Sequence, residues 1–155
     1  NLEFKMLKAV IKAKQHRYIE SLQLLRELRS VNYRPDETGF LLGNMYFEFA
    51  KHLQESSDTA VSIKSSALLY DYYRNTNAAD LNYMLAIQYC DTALKFNHRI
   101  YEAYIVTSES FHRLDAHEGA FNVLDSALHV FPNDEEIIRL MKLEYCCLAE
   151  CEAEL

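Results

Sequence analysis

The sequence predicts an all-α fold of about eight helices arranged as antiparallel pairs. Apolar residues recur at helical spacing along almost the whole chain, polar clusters separate the stripes, and only 3 Gly and 2 Pro serve as breakers. A sandwich or barrel needs turn chemistry every ~8–12 residues, which this composition does not supply. With 155 residues, 50% hydrophobic and 25% charged, the chain has the balance of a globular protein. A domain of this size buries roughly 68–70% of the surface its unfolded chain exposes.

The elements follow in order from spacing and punctuation. Phe4, Leu7, Val10 and Ile11 form the first stripe, and Tyr18, Leu22, Leu25 and Leu28 the second, with a connection near Gln15–Arg17. Asn32 to Pro35 stops the second helix, and the Asp36 carboxylate suits an N-cap for the third. Phe40, Leu42, Tyr46, Phe49 and Leu53 carry that third helix to the polar cluster 55–58, where an end is expected. A fourth helix is expected from Thr59 to about Arg74, a break at Asn75–Asn77, and a fifth helix carrying Leu81, Leu85, Tyr89, Ala93 and Phe96. Tyr104, Val106, Phe111 and Leu114 mark a sixth, and Ala120, Val123, Leu124, Ala127 and Leu128 a seventh. Proline cannot continue a helix, so Pro132-Asn133-Asp134 ends the seventh, and Asp134, Glu135 and Glu136 suit the positive start of an eighth.

Many helices with short connections call for a search for internal period. The window 101–134 reads Tyr104, Thr107-Ser108, Phe111, Ala120, Leu124, Ala127 and Pro132. Small residues at Ser108, Ala120 and Ala127 would let two helices cross closely, while Tyr104, Phe111 and Leu124 fill the space beside them. Shifted back 34 residues, Ala86, Cys90 and Ala93 repeat the order small, large, small. Further upstream stands Leu42-Gly43-x2-Tyr46. In these positions the chain resembles the tetratricopeptide repeat family. The resemblance covers 79–145 and 36–54, and departs from the pattern at Thr107-Ser108, Arg74 and Asn77. It implies a single domain over 1–155, a right-handed superhelix of helix pairs. The clearest repeat is 101–134, a partial repeat precedes it at 67–100, and a capping helix occupies 134–152. The spacing between Gly43 and Ala86 breaks the 34-residue register. An irregular helical bundle remains the competing arrangement. The absence of an initial Met leads to the expectation of a fragment of a longer protein or a processed chain.

The resemblance implies a concave, partner-binding face built by the first helix of each pair. On it would stand Phe40, Asn44, Phe47 and Glu48 from one helix and Glu102, Ile105, Glu109, His112 and Arg113 from another. The expected function is a protein-interaction module or scaffold that binds a peptide or subunit there. The alternative is a chaperone-like repeat that shields a client such as a secretion substrate. Some members of the family grip the terminal carboxylate of heat-shock chaperones with Lys, Asn and Arg. Asn44 fits that scheme, but Phe40 replaces the lysine, and Glu102 and Val106 take the basic positions, which disfavours that partner.

Charge narrows the partners further. The net charge is −7; residues 1–35 hold eight Lys/Arg and three acids, +5, which leaves −12 for the rest. Nucleic acid is therefore not an expected partner. The basic stretch Lys5, Lys8, Lys12, Lys14 and Arg17 reads first as a solvated face. Neither a signal core nor a long apolar run is present, so a cytoplasmic or nuclear, non-secreted protein is expected.

Cys90, Cys146, Cys147 and Cys151 are spaced for neither a disulfide framework nor a four-ligand zinc site, and read as reduced thiols. His112 and His117 straddle a hairpin turn rather than one helical face, so the sequence predicts no metal and no cofactor. No phosphate loop, nucleophile elbow or zinc-protease motif occurs, and no enzymatic activity is expected. Tyr70, Tyr72 and Tyr73 cannot share one side of a helix, which suggests a contact surface for at least one of them.

Overall fold

The computed structural model describes residues 1–61 and 66–153, with side chains described over 1–56 and 77–150. The described residues form seven helices: α1 Leu2–Lys14, α2 Tyr18–Ser30, α3 Pro35–Val61, α4 Ser66–Phe96, α5 Tyr101–Arg113, α6 His117–Val130 and α7 Glu135–Ala153. Each packs on the next in sequence, and the α3–α4 contact is the most extensive. α3 also meets α1 and α5, so α1, α3 and α5 lie side by side.

A chain with so few glycines turns by another route. α1, α2 and α5 each end with a non-glycine residue in the left-handed region: His16 at φ 58°, Asn32 at 52° and Asp115 at 59°. The same pair of bonds closes all three ends. After α5, Asp115 N–H donates to His112 O at 3.0 Å and Ala116 N–H to Phe111 O at 2.9 Å. His16 and Arg17 do the same onto Ala13 and Lys12, and Asn32 and Tyr33 onto Arg29 and Leu28. Asn, Asp and His are the side chains that tolerate this conformation best after glycine.

Two expected helix boundaries are absent. α3 runs through the polar cluster 55–58, and α4 runs through Asn75–Asn77, so one helix replaces the expected fourth and fifth. The window 67–100 consequently holds one long helix and not a helix pair. No Gly or Pro lies between Gly43 and Gly119, and a polar residue such as Asn or Ser costs a helix no more than about 0.7 kcal/mol. Packing of α3 along α4 outweighs that preference, and Ser56 satisfies its hydroxyl on His52 O at 2.9 Å. The N-terminus of α3 also differs from expectation. Pro35 is its first residue and Asp36 lies inside the first turn, because the fixed φ of proline suits that position and its missing N–H costs nothing there. Tyr70, Tyr72 and Tyr73 lie outside the residues whose side chains are described.

The α3–α4 hairpin shows which residues make a close crossing. A Cβ on Gly43 would collide with Cys90 Sγ and lie 3.1 Å from both Ala86 O and Cys90 N. One turn earlier, a Cβ on Gly39 would sit 3.2 Å from the Ala93 Cβ. The small residues found by periodicity therefore face each other, with Leu42-Gly43-x2-Tyr46 as the first-helix half and Ala86, Cys90 and Ala93 as the second. In the α5–α6 hairpin Ser108, Ala120 and Ala127 are likewise buried, beside Tyr104 and Leu124, while Phe111 is half-buried and Pro132 exposed.

Two apolar clusters result. The larger joins α1 to α5 around Leu25, Leu28, Leu42, Tyr46, Phe47 and Tyr83; the smaller joins α5 to α7 around Tyr104, Leu124, Ala127 and Ile137. Full burial of each such aliphatic side chain contributes roughly 1.5–3 kcal/mol. Helix α1 presents a different face to the core than its large residues suggest. Phe4, Leu7 and Ile11 are 66%, 56% and 46% exposed, whereas Met6 and Ala9 are buried. The contact with α2 is a close one: Ser21 Oγ donates to Ala9 O at 2.9 Å, which only small side chains permit. Leu81 is exposed as well, since α4 turns Ala79, Tyr83 and Ala86 to the core instead.

Candidate functional site

Three hydroxyls of α5 are satisfied by carbonyls of the helix itself. Thr107 Oγ1 donates to Ala103 O, Ser110 Oγ to Val106 O and Ser108 Oγ to Ile105 O, at 2.7, 2.7 and 3.0 Å. Three polar side chains are thereby packed among neighbours without an unpaired donor. Ile105, Glu109, His112 and Arg113, spaced i, i+4, i+7 and i+8, occupy its remaining face.

These four residues line a cavity of about 580 Å3 with Ser108, Leu124 of α6, Gln54 of α3, and Glu136, Arg139, Leu140, Leu143 and Glu144 of α7. Its walls are aliphatic at Ile105, Leu140 and Leu143. Its charges are largely paired: Arg139 grips both oxygens of Glu136 at 2.6 and 2.8 Å, and Arg113 approaches Glu109 at 3.5 Å and donates to Gln54 Oε1 at 3.2 Å. Gln54 also accepts from Tyr83 Oη at 2.8 Å, which ties the α3 side of the cavity to α4. Burial first of all pushes the Tyr83 phenol up to about 12, so it stays a donor.

The cavity wall contains a buried carboxylate. Glu144 is 3% exposed, and its two oxygens lie 2.7 Å from His112 Nδ1 and from His117 Nδ1. His117 Nε2 in turn lies 2.9 Å from Asp115 Oδ1. The imidazoles meet edge to face, with centroids 5.2 Å apart. The two histidines stand on either side of the hairpin turn, as their spacing predicts, yet both reach Glu144. The left-handed residue Asp115 reverses the chain in three residues, so the last turn of α5 and the first residue of α6 face α7 together. The hydrogen bond to Glu144 raises the pKa of His117 above the usual histidine value, helped by that to Asp115 and opposed by desolvation. Glu144, Asp115 and Gln54 were not expected at the site. Only the i, i+4, i+8 spacing of Glu136, Leu140 and Glu144 on α7 hinted at a common face.

The other expected partner-binding residues are dispersed. Asn44 and Glu48 line a separate depression of about 290 Å3 against Ala9, Val10 and Ala13 of α1. Phe40 is half-buried against the larger core cluster. Phe47 is 4% exposed, with its ring 5.8 Å from that of Tyr83 and Lys51 Nζ 5.0 Å from its centroid. It is a core residue because its side of α3 faces α4. Glu102 is exposed and lies outside the cavity.

No protein-family model matches the chain, and no curated protein matches it. A solved structure described as MamA AMB-1 P212121 is similar over 99% of this chain and 86% of its own, with 17% identity and a TM-score of 0.42. That likeness is too remote to assign a function. Among the described residues, no helix is long and apolar enough to cross a membrane.

Proposed function

We propose that this domain is a protein-interaction module that holds a peptide or a segment of a partner subunit in the cavity between α5 and α7. The observation that carries the reading is the convergence of Ile105, Glu109, His112 and Arg113 with Leu140 and Leu143 on one depression. Aliphatic walls interspersed with preformed, mutually paired charges suit a partner that inserts an apolar side chain and exchanges polar contacts around it. The role is one of binding rather than of catalysis.

Site-specific photocrosslinking tests the reading. A photoreactive residue in place of Leu143, at the cavity rim, is expected to capture a discrete partner in cells. The same residue in place of Asp125, exposed on α6, is expected to capture none. Equal capture at the two positions removes the proposal.

The exposed Phe4, Leu7 and Ile11 on α1 favour a second reading, client shielding, because adjacent exposed apolar side chains suit contact with unfolded chains. Co-expression separates the two: only a shielding protein keeps an otherwise insoluble client in solution.

A further inference from the structure

We infer that His112, His117 and Glu144 form a binding site for a divalent transition metal ion, of which zinc is the best fit. The three side chains come from α5, α6 and α7, and their ligand atoms all lie within 4.8 Å of one another. Two imidazoles and one carboxylate make a three-ligand zinc set that leaves a fourth position open. Magnesium and calcium prefer an all-oxygen shell.

The hydrogen-bond pattern is compatible with such an ion. If His117 is neutral and donates its Nε2–H to Asp115, its Nδ1 carries only a lone pair, and that lone pair faces a carboxylate oxygen of Glu144 at 2.7 Å. Two acceptors cannot bond to each other. Either a second proton or a cation must lie between them, and a metal ion satisfies His117, Glu144 and His112 at once. The Asp115 contact is the outer-shell device that fixes the tautomer of a metal-binding histidine.

The surroundings leave Glu144 to this pair of histidines. The nearby guanidinium of Arg139 is committed to Glu136, and Arg113 to Glu109 and Gln54. A tetrahedral zinc with ligands at 2.0–2.1 Å sets those ligand atoms about 3.3 Å apart. The 2.7 Å pairs would therefore open slightly and the wider ones close. His112 and Glu144 both line the cavity, so the open position faces it and would take water or a donor atom from an occupant. This adds to the proposed function without depending on it, because the ion alone is the probe.

Calorimetric titration of the chelator-treated chain with zinc chloride tests the site, alongside cobalt(II) followed by visible absorption. One ion per chain is expected, with a tetrahedral cobalt spectrum that lacks thiolate charge-transfer bands. Asp115→Asn should weaken binding by roughly 10–100-fold, His112→Gln and His117→Gln each by more, and the double variant should bind none. Cys146→Ser/Cys147→Ser/Cys151→Ser should bind as the parent does. Circular dichroism checks that each variant keeps its helices, and His112, half-buried at the cavity edge, gives the variant least disturbing to the fold. The site is overturned if the parent binds no stoichiometric ion, if the double histidine variant binds unchanged, or if the cysteine variant loses the ion.

Discussion

The α3–α4 and α5–α6 hairpins place the same kinds of residue at their crossings but differ greatly in length. Ser108 and Ala120 are twelve residues apart, with a three-residue connection between their helices; the corresponding Gly43 and Ala86 are forty-three apart. Most of the thirty-one additional residues lie in the two helical arms, 44–61 and 66–85, which extend the longer hairpin beyond its crossing. Close approach is thus a local property of a few small side chains, while the distance from crossing to turn is free to vary. This also accounts for the lost 34-residue register between Gly43 and Ala86: the small residues of the crossing still meet, while the sequence that joins them is longer.

The two hairpins also differ in what fills the space beside the crossing. Phe47 against Tyr83 serves the longer one, and Phe47→Ala is expected to cost about 3–5 kcal/mol, read by chemical denaturation. A loss below about 1 kcal/mol would return Phe47 to the surface. Overpacking comes next. Gly43→Ala and Ala120→Leu are each expected to destabilise by ~1–3 kcal/mol, whereas Ser108→Ala, which removes one internal hydrogen bond, should cost about 1 kcal/mol or less. A neutral Gly43→Ala would break the equivalence of the crossings.

Thiol labelling sharpens the comparison without a mutation. Burial pushes the Cys90 thiol up to about 12, with its side-chain hydrogen bond to Thr107 acting in the opposite direction. At pH 8 Cys90 should resist alkylation in the folded chain while the exposed Cys146 reacts, as mapped by mass spectrometry; rapid labelling of Cys90 would mean that α3 and α4 separate readily. The smallest effect is expected at the solvated ion pair of Lys95 with Asp91. Lys95→Ala should change stability by no more than about 0.5 kcal/mol, a control that shows the crossing, and not surface charge, holds α4.

Helix content, the α5–α6 unit and the small residues of both crossings were legible in the sequence because each is set by spacing within one or two turns. The apolar face of α1 was misread for a physical reason: large side chains signal burial only where the neighbour stands off, and Ser21 against Ala9 brings α2 too close for them. The convergence of four α5 residues follows from a single helical face, so that half of the candidate site was also readable. Its other half was not, because Glu144 and Gln54 reach it from helices distant in the chain.

By itself, then, the sequence determined where helices form and which small residues let them touch, since backbone periodicity and side-chain volume are properties of neighbouring residues. Tertiary structure alone decided that α3 and α4 run past their polar clusters, that Phe47 turns inward, and that two histidines meet one buried carboxylate. Each of those outcomes depends on a partner brought close by folding, whose contribution to packing or hydrogen bonding outweighs the local preference.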